Sequence, residues 1–376
     1  MDGDGAGVPR RGVPGVVQAA RPLDGLTDLD RRIIVALQRD GRASWTSIAE
    51  LVGSSAPTVV RRGQQLLASG VVSVTVQPAI GSLGPTDLFL TRINCRPGRQ
   101  REVAERLAAW SDVRFLSVVS GRYDIVAEIA VRGGAAHYSA LISPLQQTEG
   151  VERWRSDLLL HVYKVGHDWS RQLFASELAP RPVDGTDADV PAWAPDADGE
   201  PPACAPTHFD DVDRQIIDVL AVDGRATFQK VGADVGLNES SVRRRFERLR
   251  SQGCVDVLTL VPAAALGMGA ETLITVRVRP GRLAQVAAAL AAHSAVRYVA
   301  ALLDDSSLFC EVIAGSNESL WHFVNDTLAT LDGVQGWDAS MELLQLKRGF
   351  TETPWWRDQV AEETPAPTRT AARTAS

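Results

Sequence analysis

The chain has 376 residues, of which 45% are hydrophobic, and a formal net charge of −7. That length exceeds a single ordinary core of roughly 100–150 residues, and the acidic total excludes a uniformly basic nucleic-acid binder while leaving room for a local basic surface. No apolar run reaches the roughly 20 residues of a membrane span, and Cys95, Cys204, Cys254 and Cys310 form no Cys-x-x-Cys pair, so neither a zinc site nor a disulfide framework is expected.

Residues 1–25 are rich in Gly, Pro and Arg and lack the apolar stretch of a secretory leader. A flexible tail and a cytoplasmic chain are expected. Residues 26–76 follow as a helix-turn-helix domain. Leu29, Ile33, Ile34 and Leu37 make a helical stripe that Thr27 or Asp28 caps and Asp40-Gly41 ends. A second helix spans about 44–52 with Trp45, Ile48 and Leu51 inward, and a third follows Ser55 as N-cap. From residue 77 to 168 the period shifts. Strands near 88–95, 113–120, 123–130 and 151–163 alternate with helices near 99–110 and 135–147. The order β-α-β-β-α-β is the ferredoxin-like pattern.

Residues 169–208 are rich in Pro and Asp and read as an extended linker. The plan then repeats. Residues 209–260 form a second helix-turn-helix domain, with the stripe Val212, Ile216, Ile217 and Leu220, then Phe228, Val231 and Val235, then a helix capped by Asn238 that carries Val242, Phe246 and Leu249. Residues 261–350 form a second ferredoxin-like domain, with strands near 271–279, 296–303, 307–314 and 334–346 and helices near 282–293 and 317–331. Residues 351–376 read as a polar tail. The offset is constant: Asp30 returns as Asp213, Arg61 as Arg244 and Pro97 as Pro280, each 183 residues on (213 − 30, 244 − 61, 280 − 97). So long a period means two whole modules, not a solenoid, whose repeats run roughly 20–50 residues. The fold class is α+β: two tandem units, each a winged-helix-type helix-turn-helix domain followed by a ferredoxin-like βαββαβ domain.

The third helix of each head suits a DNA major groove, since arginine binds guanine bidentately or neutralises phosphate. The candidate DNA-binding residues are Thr58, Arg61, Arg62 and Gln64 in the first unit, and Ser240, Arg243, Arg244, Arg245 and Arg248 in the second. The plainer alternative is a solvated basic helix that caps a small domain. Gly63 stands where the second unit has the core residue Phe246. An internal glycine costs a helix about 1 kcal/mol, so the first recognition helix is expected to be the weaker one. Arg244→Ala is accordingly predicted to reduce DNA binding more than Arg61→Ala.

The stretches Leu29–Arg42 and Ile48–Ser55 resemble the helix-turn-helix of the Lrp/AsnC (feast/famine) transcriptional regulators, and the βαββαβ parts resemble that family's sensing and assembly (RAM-type) domain. The resemblance covers most of residues 26–350, as two family units fused in tandem. It implies a sequence-specific regulator of double-stranded promoter DNA that self-associates through its sensing domains and answers an amino acid or related metabolite. It needs no cofactor, metal or membrane. Effector binding would alter the spacing of the heads. The resemblance places ligand contact at the turn Gly121, Arg122, Tyr123 and Asp124, where a carboxylate can meet an α-amino group. An ordinary hairpin turn uses the same residue types. The matching positions of unit two, Asp304 to Ser307, lose this motif, and the repeated Trp154 and Trp337 read as packing.

No catalytic residues are expected, because phosphate-cradling and His-Glu-x-x-His motifs are both missing. Two alternatives remain. Sirohaem decarboxylases resemble the same family and also occur as two fused units, but the His-bearing segment they carry corresponds here to residues 78–84 and 262–267, which have no histidine. The other alternative is a sensing or scaffold protein without DNA affinity.

Overall fold

The computed structural model describes residues 26–166, 169–170, 209–304 and 307–357. The tail 1–25 and most of the linker lie outside the described residues.

Each head opens on a capping box. In α1 (Asp28–Arg39) the Thr27 hydroxyl accepts from the Asp30 N–H while Asp30 accepts from the Thr27 N–H. In α6 (Asp211–Val222) Asp210 and Asp213 do the same. The boxes satisfy donors that a first helical turn leaves open. α2 (Trp45–Val52) and α7 (Phe228–Val235) end at Gly53 and Gly236, whose φ of 68° and 73° would strain any other residue. α3 (Ala56–Ala68) and α8 (Glu239–Ser251) start from the expected caps, Ser55 and Asn238. One inward assignment is corrected: Leu51 is 41% exposed, and Ala49 and Val52 fill the core beside Ile48. Those three share one helical face, which Leu51 does not.

The heads are joined by strands that the sequence pattern does not mark out. β1 (Ser73–Pro78) pairs antiparallel with β6 (Val255–Leu260) along the whole of both. β1 delivers Val76 into the core of α6, α7 and α8. Val261, Ala263, Leu266 and Met268, which follow β6, enter the core of α1, α2 and α3. Each head is therefore completed by the other unit.

The ferredoxin-like halves also merge. Unit one supplies β2 (Thr86–Cys95), α4 (Gln100–Ala108), β3 (Val113–Val119), β4 (Ile125–Arg132), α5 (Ser139–Gln147) and β5 (Val151–Val165). Unit two supplies β7 (Ala270–Val278), α9 (Leu283–Ala292), β8 (Val296–Leu302), β9 (Ser307–Ala314), α10 (Asn317–His322) and β10 (Val334–Arg348). The strand order β10-β3-β4-β2-β5-β8-β9-β7 closes on itself through β7–β10. The two seams are equivalent: Leu159 faces Leu302 in one and Glu342 faces Val119 in the other, and 342 − 159 and 302 − 119 are both 183. Closure removes the open sheet edges. It also covers both faces of the strands, so β8 and β9 are buried throughout. α4 and α5 pack outside one half and α9 outside the other.

Three expectations are corrected at segment ends. The helix expected over 317–331 is α10 followed by a π-helical turn, Phe323–Thr327, and a short 3₁₀ turn. Trp169, assigned to the linker, is buried in the first head's core, and Ser170 hydrogen-bonds Gln38. Residues 351–357, assigned to the tail, continue the fold: β11 (Thr351–Glu352) pairs with β10, and Trp356 is buried against the α4 core.

Candidate functional site

The Asp-Gly-Arg-Ala repeat holds the two heads together. Arg42 donates to the carbonyls of Gly224 and Ala226, and Arg225 donates to those of Gly41 and Ala43. The Arg42 guanidinium stacks over Phe228 at 4.5 Å and that of Arg225 over Trp45 at 4.1 Å. Burial, with the neighbouring Arg225 charge, lowers Arg42 to about 10. The two half-buried cations are tolerated near each other because four carbonyls and the aromatic faces receive them. The sequence carries a signal for this clamp, since Asp-Gly-Arg-Ala stands at 40–43 and again at 223–226, but the type of contact is not readable from it.

The recognition helices keep few of their arginines for an outside partner. Arg62 is tied to Asp30 and Thr27, and its counterpart Arg245 to Asp210 and Asp213. Arg248 also pairs with Asp213, which is fully buried. Burial opposes the Asp30 charge, yet hydrogen bonds from Arg62 and Thr27 hold its carboxyl below the usual range. Arg62 and Arg245 thus lock α3 and α8 onto the capping boxes. Arg243 pairs with Glu239, and Arg250 reaches Asp40 across the head interface. Ser240 donates to Asn238, and Thr58 is hydrogen-bonded to Ser55. Arg61, Gln64 and Arg244 are exposed and have no hydrogen-bond or ion-pair partner among the described residues. Four of the five α8 arginines are thus paired with carboxylates of the protein itself, although Arg243, Arg248 and Arg250 stay exposed.

Gly63 does not weaken α3 in the expected way. A Cβ there would overlap the Trp45 ring. In the other head the same two places hold Phe228 and Phe246, whose centroids are 5.5 Å apart. The Trp45 ring thus reaches into the space over Gly63 that the Phe246 side chain fills in the other head.

The turn from Gly121 to Asp124 lies on a seam between the units. Gly121 has φ of 94°, and Ser120 exchanges hydrogen bonds with Met341 of β10. Asp124 accepts from the Cys95 N–H at 2.8 Å and from Gln100 at 3.4 Å, which braces the turn. The Asn94 amide donates to the Arg122 carbonyl. Arg122 is exposed and its guanidinium lies 5.9 Å from the Tyr123 ring. In the other unit Asp304 accepts from the Ser307 N–H; Asp305 and Ser306 lie outside the described residues. Trp154 packs in the α4 core, whereas Trp337 is 36% exposed.

Between β6 and the closed sheet lies a cavity of about 60 Å³, walled by Phe115, Tyr298, Phe309 and Trp169. Its charges follow the repeat: Arg114 pairs with Glu128 and Arg297 with Glu311, and 297 − 114 and 311 − 128 are both 183. Arg348 adds a second cation to Glu311. Burial opposes the Glu311 charge, but Arg297 and Arg348 hold it ionised; burial and Glu311 together push Glu342 well up. The Glu271, Glu311 and Glu342 oxygens lie within 4.8 Å of one another, a spacing that suits a hard cation. The arginines already compensate Glu311, so the cluster is a charge network. Burial also raises Asp256 on β6 to about 6, with Arg114 partly offsetting it.

The AsnC-type helix-turn-helix domain matches residues 26–67 and 209–250, and the Lrp/AsnC ligand binding domain matches residues 88–168 and 271–351. The chain belongs to the Lrp/AsnC family. An uncharacterized HTH-type transcriptional regulator of Pyrococcus furiosus is 30% identical over 145 residues, which is 38% of this chain and 97% of the relative. The HTH-type transcriptional regulator FL11 of the same organism is 29% identical over 147 residues, 39% of this chain and 96% of its own length. This Lrp/AsnC member is thus double the usual unit. Among solved structures, the siroheme decarboxylase NirDL is similar in fold over 89% of this chain and 99% of its own, with a TM-score of 0.54 and 12% identity.

Proposed function

We propose that this Lrp/AsnC protein is a sequence-specific, DNA-binding transcriptional regulator in which one polypeptide supplies both heads of a DNA-binding pair. The observation that carries the reading is the reciprocal clamp of β1, β6, Arg42 and Arg225, which sets two recognition helices in a fixed relation. Heads of this type enter successive major-groove faces roughly 34–36 Å apart. Exposed Arg61 and Arg244 are the base or phosphate contacts, while Arg62, Arg245 and Arg248 position the helices. The effector, an amino acid or related metabolite, meets the seam turn through Arg122, Tyr123 and Asp124. Because the heads are clamped to each other, the effector moves the pair as one body or changes self-association, and does not change head spacing. Genome-wide mapping of binding sites for the tagged protein tests the reading; no enriched promoter sequence would reject it.

Tetrapyrrole chemistry is the second reading, favoured by the full-length likeness to NirDL, whose structure was solved with an iron-uroporphyrin III analogue. Against it, residues 78–84 and 262–267 lack histidine, and the 60 Å³ cavity falls far short of the roughly 300–1,000 Å³ of ligand pockets. An open groove of about 420 Å³ beside His293 and His322 is the larger space. A Soret band on titration with sirohaem would favour this reading, and a salt-sensitive gel shift without one would favour the regulator.

A further inference from the structure

The exposed ridges of the two recognition helices differ at one informative place. Opposite the buried stripe Val59, Gly63 and Leu66, α3 carries Pro57, Arg61 and Gln64 along one row. Opposite Val242, Phe246 and Leu249, α8 carries Ser240, Arg244 and Glu247. These are matched positions, since 244 − 61 and 247 − 64 are both 183. Arg61, Gln64, Arg244 and Glu247 are all exposed, and none has a hydrogen-bond or ion-pair partner among the described residues. The other α8 arginines apart from Arg244 are engaged within the protein. α3 and α8 therefore each present one arginine without a partner in the protein and, three residues on, one such polar group. That step is about 4.5 Å along a helix, close to the roughly 3.4 Å between stacked bases of a strand.

The chemistry of the two pairs is not the same. Arginine holds guanine through O6 and N7 in either head. Glutamine donates to and accepts from adenine, whereas glutamate can only accept, which suits the cytosine amino group. Resting on the DNA-binding reading above, we propose that Gln64 and Glu247 make the operator halves unlike: a guanine in both, beside an adenine under the first head and a cytosine under the second. The clamp between the heads makes this asymmetry directional, because the two halves cannot be exchanged without reversing the whole molecule.

Selection of full-length chain on a pool of randomised duplexes at fixed salt tests this. The wild type should enrich a non-palindromic site with a shared guanine and the adenine/cytosine difference. Glu247→Gln should convert the cytosine half to adenine and yield a palindrome, preferring it over the wild-type site by roughly ten-fold. Gln64→Glu should yield the opposite palindrome. Both residues are exposed, so folding is not at issue, and thermal midpoints serve as the check. Strong DNA binding with unchanged base preference in both variants would overturn the proposal and leave the regulator reading standing. A uniform gain for every sequence in Glu247→Gln, the mark of removed charge alone, would overturn it equally. Failure of the wild type to enrich any sequence would overturn both.

Discussion

Gly63 and Trp45 are one packing unit, and the sequence shows only half of it. Helix propensity alone predicts that Gly63→Ala stabilises α3 by about 1 kcal/mol. The Trp45 ring occupies the place of the added methyl, so the substitution should instead cost roughly 1–3 kcal/mol. Gly63→Phe alone should cost more, and adding Trp45→Phe, which copies the other head, should recover most of that cost in a double-mutant cycle of thermal denaturation. With α3 intact, Arg61→Ala and Arg244→Ala should weaken operator binding alike, within a few-fold in gel-shift titrations at one salt concentration. This replaces the expectation that Arg244 matters more. Asp256 offers a pH signature. Its folded-state pKa of about 6 lies above the ordinary 3.8. The stability it contributes is present below pH 4 and is lost as pH rises through 6. Asp256→Asn should remove that decline, on the order of 2 kcal/mol, and unfolding midpoints from pH 4 to 7 that fall equally in both proteins would contradict it.

At the scale of elements, the crossed strands decide which unit feels a change. Val76 belongs to unit one by sequence and to the second head by packing. Val76→Asp places an unpaired charge among Ile216, Leu220 and Phe246, at a cost of roughly 3–5 kcal/mol. Hydrogen exchange should then accelerate in α6, α7 and α8 while α1, α2 and α3 keep their protection. Loosening confined to the first head would contradict the crossover. The strands that cross, β1 and β6, escaped sequence reasoning because each is only six residues long, with few apolar positions to set a period, and their partner lies about 180 residues away in the chain. The helices were legible because each stripe, cap and terminal glycine is a local signal.

For the whole molecule, closure of the eight strands through two equivalent seams makes one chain a pseudo-dimer. A single chain should therefore protect two adjacent groove faces. Footprinting combined with mass measurement of the complex should find one chain per pair of half-sites, or a whole number of such sets if chains assemble further. Two chains per pair, each using one head, would exclude the arrangement. The rigid head pair also changes the expected control: bound effector should leave the half-site spacing unaltered in operators with inserted base pairs.

The 183-residue offset, the three helices of each head, the βαββαβ order of each half and the caps of the head helices were determined by the sequence alone, because each depends on neighbours within a turn or a strand. The pairing of the units was not. Whether Arg62 and Arg245 face DNA or a buried aspartate, whether Gly63 is a gap or a fitted space, and which head Val76 completes all depend on contacts between distant segments. Side-chain type states what a residue can bind; only packing decides what reaches it first, and a buried carboxylate such as Asp213 claims its arginines because leaving that charge unpaired would cost several kcal/mol.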